Sequence, residues 1–260
     1  MAFNNIIYQK EAGIGNITLN RPQQMNSLNT ELISELSQVI DQIEKEDETK
    51  VVTVCGSEKF FCAGADLKEI GAITSSEDAY KFLKNIYGAI SKLDKLTKPT
   101  IAVINGLALG GGLELALCCD LRICSTSASL GVPETNSAVI PAAGGTQKLP
   151  RIIGITKAME MVLTGRPISA EEAYRLGLVN AVVSPEQLME EVKKMAGLLI
   201  YKSPLALRVA KSVIKTGISM ELESAIEFER RCASALFSSE DQKEGIRAFL
   251  EKRKPVFTGK

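Results

Sequence analysis

Apolar positions along the first two thirds of the chain fall into two alternating rhythms. Short apolar runs at Ile6 to Tyr8, Ile14 to Leu19, Val51 to Cys55, Ile101 to Ile104 and Leu121 to Cys124 predict buried strands. Between them Leu32, Ile33, Leu36, Val39, Ile40 and Ile43 recur at steps of one, three and four, the stripe of an amphipathic helix with Thr30 as its expected N-cap. Phe82, Leu83, Ile86, Tyr87, Ile90 and Leu93 repeat that stripe. Strands alternating with helices predict an α/β layered architecture. After Pro185 the pattern turns helical. Ser184-Pro185 and Ser203-Pro204 place a cap before a proline at a first helical position, and Ser239 with Gln242 has capping-box spacing. The chain therefore divides into an α/β body over 1–195 and a helical segment over 196–260. The second piece is too short and too amphipathic to bury its apolar faces alone, so it is expected to pack on the body or on another subunit.

Composition narrows the chemistry. The 260 residues are 45% hydrophobic and 24% charged, as in an ordinary globular protein. Lys plus Arg (31) balances Asp plus Glu (31), which leaves no charge footprint for nucleic acid or an anionic membrane. There is no histidine. That removes Ser-His-Asp and Cys-His catalysis and His-ligated zinc, and leaves proton transfer to Asp, Glu, Lys, Tyr or Cys. The six cysteines (55, 62, 118, 119, 124 and 232) show no C-x-x-C spacing and sit mostly in apolar runs. Buried free thiols in a reducing compartment are expected. Residues 1–10 lack the character of a secretory signal or transit peptide, and no apolar run approaches the ~20 residues that span a bilayer. A cytoplasmic protein is expected, or an organellar one whose leader has been removed.

Three stretches carry candidate chemistry. In Ile101-Ala-Val-Ile-Asn-Gly-Leu-Ala-Leu-Gly-Gly-Gly-Leu-Glu, an apolar strand leads through Gly110, Gly111 and Gly112 into a helix start. Without side chains there, first-turn N–H groups stand open to a phosphate, a carboxylate or a developing oxyanion, and Glu114 follows one turn later. The bland alternative is close helix–strand packing. Neither G-x-G-x-x-G nor a P-loop occurs. The loop Phe60-Phe61-Cys62-Ala63-Gly64-Ala65-Asp66-Leu67 offers close backbone approach and a second N–H at Ala65, or is an ordinary tight turn. Glu134 is the only charge between Arg122 and Lys148. It is either a surface residue or a buried acid with a raised pKa.

These residues, taken in order, resemble the enoyl-CoA hydratase/isomerase (crotonase) superfamily over nearly the whole chain. The matching pieces are Leu19-Asn-Arg-Pro-Gln-Gln-Met-Asn-Ser-Leu, Phe61-Cys-Ala-Gly-Ala-Asp-Leu, Asn105-Gly-Leu-Ala-Leu-Gly-Gly-Gly-Leu-Glu, Val132-Pro-Glu, Gly144-Gly-Thr-Gln, Leu163-Thr-Gly and Ala248-Phe-Leu-Glu-Lys-Arg. The resemblance implies a spiral of ββα turns, with C-terminal helices that assemble a homotrimer or homohexamer. It implies an acyl-CoA substrate whose thioester oxygen is held by the N–H groups of Ala65 and Gly111, a donor pair worth about 3–4 kcal/mol of barrier per member. Both family glutamates are present, Glu114 to activate water and Glu134 to deliver the proton to Cα, titrating as a coupled pair. Arg21, Lys59, Ala63, Asp66, Lys68 and Lys252 fall where CoA contacts are expected. No metal or other cofactor is implied. Ala142 stands where many hydratases have Gly. The stretch 135–150 is closer to methylglutaconyl-CoA hydratases. The basic comb of RNA-binding relatives is missing, since Thr30, Ser34 and Gln38 are uncharged and flanked by Glu31 and Glu35. The expected activity is hydration of a 2-enoyl-CoA in fatty acid metabolism (β-oxidation). A branched-chain hydratase and a Δ3,Δ2-enoyl-CoA isomerase are the alternatives, and a non-catalytic CoA- or RNA-binding scaffold is disfavoured by the two retained carboxylates.

Overall fold

The computed structural model describes residues 3–57 and 59–260. It resolves into two compact units: the chain up to Leu96 with Thr100–Lys193, and Thr97–Pro99 with Lys194–Lys260.

The first unit opens with an antiparallel hairpin, β1 (Ile6–Glu11) and β2 (Ile14–Leu19), turned by Ala12 and Gly13, both at positive φ. Helix α1 (Thr30–Glu44) follows. The expected cap is one residue off. Asn29 has the extended backbone of an N-cap and its side chain accepts the Leu32 N–H at 3.0 Å, whereas Thr30 lies inside the helix and gives its N–H and hydroxyl to Glu69.

Successive ββα turns then build two sheets. Strand β3 (Val51–Gly56) and the short β4 (Phe60–Cys62) lead into α2 (Leu67–Gly71) and α3 (Ser76–Lys95). Strand β5 (Thr100–Ile104) and β6 (Leu107–Leu109) lead into α4 (Gly111–Leu117). Strand β7 (Leu121–Ser125) and β8 (Ser129–Gly131) lead into a 3-10 turn (Pro133–Ser137), α5 (Gly145–Ile153) and α6 (Ile155–Thr164). The turn of chain is completed by β9 (Ile168–Ser169), α7 (Ala170–Arg175) and β10 (Ala181–Val183). Strands β3, β5 and β7 join the hairpin and β10 in a six-stranded sheet of order β1-β2-β3-β5-β7-β10, and β4, β6 and β8 join β9 in a four-stranded sheet of order β4-β6-β8-β9. This is the expected ββα spiral. Its central strands pair in parallel and are mostly apolar because both faces are covered, as in the fully buried β5. The short strands of the second sheet escaped the hydrophobic pattern, because two or three residues are too few to display a period of two.

In the second unit α8 (Leu188–Ile200) crosses the boundary, and α9 (Pro204–Gly217), α10 (Leu222–Leu236) and α11 (Glu240–Leu250) follow. Ser203 and Ser239 cap as expected, accepting the N–H groups of Ala206 and Gln242. Ser184 differs: its proline opens a 3-10 turn (Pro185–Gln187), without a side-chain cap, ahead of α8. Buried Asp241 takes the Ser203 hydroxyl and the N–H groups of Thr258 and Gly259, which ties down the C-terminal strand of chain. Ile214, Ile218, Leu222, Phe249 and Leu250 stay exposed. No helix among the described residues is long and apolar enough to cross a membrane.

Candidate active site

The site forms where β6, β4 and β8 deliver the chain to α4, to the 60–67 loop and to the 3-10 turn. The three glycines have different reasons to be there. Gly110 leaves β6 at φ +52° and donates its N–H to Gly131 at 2.9 Å; a Cβ there would sit 2.7 Å from Glu134 Oε1. Gly112 presses α4 onto β4, so that a Cβ would lie 2.1 Å from the Cys62 carbonyl oxygen. The packing reading of the run is realised at Gly112, while Gly110 stands against the Glu134 carboxylate.

Gly111 opens α4 with a bare backbone N–H. Ala65 lies in a one-residue parallel bridge to Leu28, with the Leu28 N–H given to Gly64 and the Asp66 N–H given to the Leu28 carbonyl at 2.8 and 3.0 Å. These bonds use Ala65's neighbours and leave its own N–H over. The Ala65 nitrogen is 3.5 Å from the point a Cβ on Gly111 would take, and the Gly111 nitrogen 3.4 Å from the equivalent point on Gly64. Two N–H groups therefore stand side by side. Among the described residues, neither donates to any acceptor.

The two glutamates flank this pair in contrasting surroundings. Glu114 is 3% exposed, and its Oε1 accepts N–H bonds from Ala143 at 2.8 Å and Gly145 at 2.7 Å. Burial raises its pKa, while those two donors pull the other way by favouring the carboxylate. Its Oε2 accepts no hydrogen bond among the described residues. Glu134 has a single backbone donor, its own N–H, which offsets only part of the effect of burial. Its Oε2 is buried without a partner, and burial, with a smaller contribution from the Glu114 charge, pushes its pKa up to about 7. The 3-10 turn that carries it is clamped to α6 by the Thr135 hydroxyl on the Val162 carbonyl at 2.8 Å. Of the two readings the sequence left open, the structure takes the second in part: Glu134 is half-buried, with one carboxylate oxygen enclosed and its pKa raised.

Ala143 and Gly145 were missed by sequence reasoning. The signal available was the Gly144-Gly145 pair opening α5, where first-turn N–H groups need an acceptor. Ala142 is solvent-exposed and is not among the residues at positive φ, so alanine costs nothing in backbone strain there. The other candidates scatter. The Ala63 N–H already goes to the Met25 carbonyl at 3.1 Å. Lys59 is exposed in the turn before β4 and Lys68 is exposed in the first turn of α2. Lys252 belongs to the second unit, at φ +54° just past α11. Arg21 and Asp66 are paired with each other at 3.0 Å. Among the described residues no cluster of three or more His, Cys, Asp or Glu gathers to hold a metal ion. All six cysteines are free, four of them buried.

The sequence profile of enoyl-CoA hydratase/isomerase matches residues 9–260. The chain belongs to the enoyl-CoA hydratase/isomerase family. Within it, the short-chain-enoyl-CoA hydratase of Clostridium acetobutylicum is 40% identical over 257 residues, 98% of this chain and 97% of that protein. The crotonyl-CoA hydratase of Syntrophomonas wolfei is 39% identical, with both chains fully covered. A crystal structure of enoyl-CoA hydratase from Bacillus anthracis superposes with a TM-score of 0.95 at 42% identity, covering 99% of this chain and all of the other.

Proposed function

We propose that this enzyme is a hydro-lyase that adds water across the 2,3-double bond of a 2-enoyl-CoA to give the 3-hydroxyacyl-CoA. One observation carries the reading: a buried glutamate held by two backbone donors and a half-buried one with an enclosed, unbonded oxygen flank two N–H groups that have no acceptor among the described residues. The thioester oxygen takes the Ala65 and Gly111 N–H groups, which stabilise the enolate as it forms. Glu114, held as a carboxylate by Ala143 and Gly145, takes a proton from water through its unengaged oxygen while the hydroxyl adds to C3. Glu134, which keeps its proton near neutrality, delivers it to C2 as the enolate collapses. An isomerase needs only one proton-shuttling carboxylate, and the second would then be an uncompensated buried acid. Lys59 and Lys68, both exposed, are proposed to meet the CoA phosphates, with Lys252 reaching the nucleotide of a neighbouring subunit.

The relatives named for short-chain and crotonyl substrates favour a short straight acyl group. The test is a panel of straight and branched 2-enoyl-CoA thioesters, following loss of the conjugated absorbance. Turnover of crotonyl-CoA above that of the branched glutaconyl type is expected. Double-bond migration without hydration would overturn the assignment. No metal, nicotinamide or flavin enters the scheme. We assign the chemistry to residues 1–195 and assembly of a homotrimer or hexamer to 196–260, supported by the exposed apolar residues of α9 to α11. Sedimentation of the intact chain tests that. The free cysteines support a cytoplasmic site of action, with a place in β-oxidation.

A further inference from the structure

We infer that Arg21 and Asp66 are a positioning pair that holds the Ala65 N–H in register with Gly111, and that Arg21 does not meet a CoA phosphate. The inference rests on the reading of Ala65 as an oxyanion donor. The Arg21 side chain is 14% exposed and that of Asp66 11%. Both terminal nitrogens of the guanidinium reach Asp66 Oδ2, at 3.1 and 3.0 Å, and one also donates to the Ser27 carbonyl at 2.6 Å and to the Ser27 hydroxyl at 3.2 Å. A guanidinium so occupied has few donors left for a phosphate.

The pair closes a frame around Ala65. Asp66 follows Ala65 directly. Its Oδ2 accepts from Arg21 and from the Ser27 hydroxyl, its Oδ1 accepts the Lys68 N–H and so caps α2, and its own N–H goes to Leu28. The Arg21 N–H donates to Asn26 Oδ1, and the Asn26 side chain donates to the Phe60 carbonyl at 2.8 Å. Residues 21–28 are thereby stapled to both ends of the 60–66 loop, which itself has no regular secondary structure between Cys62 and Leu67. Burial alone would raise the Asp66 pKa; the Lys68 N–H and Arg21 outweigh it and bring it below the ordinary value, so Asp66 stays charged at working pH. A donor that must lie within a few tenths of an ångström of a developing oxyanion needs such a frame, because small misplacements are costly to rate.

The experiment compares Arg21→Met and Asp66→Asn with the parent enzyme on crotonyl-CoA and on crotonyl-pantetheine, which lacks the nucleotide phosphates. The expected result is a fall in kcat of about tenfold on both thioesters, with KM nearly unchanged. The carbonyl stretch of a bound thioester, lowered by the two donors in the parent, should move back toward its free value. A loss carried by KM and confined to the CoA thioester would assign Arg21 to a phosphate and overturn the inference, as would unchanged kinetics on both. Asp66→Asn keeps the shape and the cap on α2, so it tests the idea even where Arg21→Met does not fold. A parent enzyme whose bound thioester shows no lowered carbonyl stretch would overturn the oxyanion reading itself, and this inference with it.

Discussion

Glu114 and Glu134 are the same residue type in one site, yet the chain treats them oppositely. Glu114 sits in a regular helix and one of its oxygens is pinned by two backbone donors from the start of α5. Glu134 sits on a single 3-10 turn and one of its oxygens is buried with nothing to bond. Donors to a carboxylate favour the charged form, and burial without donors favours the neutral one. The contrast teaches that backbone geometry separates two like acids: burial raises the pKa of both, and at Glu114 the N–H groups of Gly145 and Ala143 oppose that rise. Two carboxyls with environments pulled apart in this way can run general acid and general base chemistry at one pH.

The most damaging way to probe that contrast is to remove either proton carrier. Glu114→Gln and Glu134→Gln should each lower hydration kcat by ~10²–10⁴-fold while the melting temperature stays near that of the parent. The double variant should lose far less than the product of the single losses, because both groups serve one water addition. Exchange of Cα deuterium in a saturated acyl-CoA should depend more on Glu134 than on Glu114. Near-normal hydration by Glu134→Gln would remove the two-carboxylate assignment and reopen the isomerase reading.

A narrower probe disturbs one carboxylate through its neighbour. In Gly110→Ala the new Cβ would start 2.7 Å from Glu134 Oε1, at a backbone φ of +52°. Rate should drop by about 100-fold through displacement of the acid, with a stability cost of about 1–3 kcal/mol from the strained backbone. Activity near that of the parent would mean that Glu134 has freedom the structure does not show.

The environments also differ in their response to pH. With Glu134 needed in its protonated form, kcat/KM should fall above about pH 7, approaching tenfold per unit, as the acid ionises. The stability effect has the matching sign. In the unfolded chain Glu134 gives up its proton near the ordinary 4.5, whereas in the fold it holds it to about 7. Raising the pH through that window therefore favours the unfolded state. Melting temperature should decline over this range more in the parent than in Glu134→Gln, and parallel curves would contradict the burial argument. The smallest effect expected is none: exhaustive EDTA treatment should leave hydration unchanged, and activity lost and then restored by a divalent metal would displace both glutamates from their roles.

Much of this was legible from residue order. The apolar strands, the α1 and α3 stripes, the glycine run and the isolation of Glu134 are local features, visible because a period of 2 or 3.6 and a missing side chain show themselves within a few residues. The two- and three-residue strands of the second sheet were not legible, since they exist only by pairing with partners 20 to 50 residues away. Nor was the Asn29 cap distinguishable from Thr30, both being residues that cap well.

What the sequence determined by itself was the chemistry available: no imidazole, two carboxylates in apolar surroundings and glycines where backbone N–H groups must be bare. What only the tertiary structure decided was how those parts are used. Ala143 and Gly145 reach Glu114 across 29 and 31 residues, Arg21 reaches Asp66 across 45, and the Ala65 and Gly111 donors meet because β4 and β6 pair in parallel. A carboxylate's proton depends on which donors stand within hydrogen-bond distance, and that distance is set by the packing of the sheets, to which no short window of sequence has access.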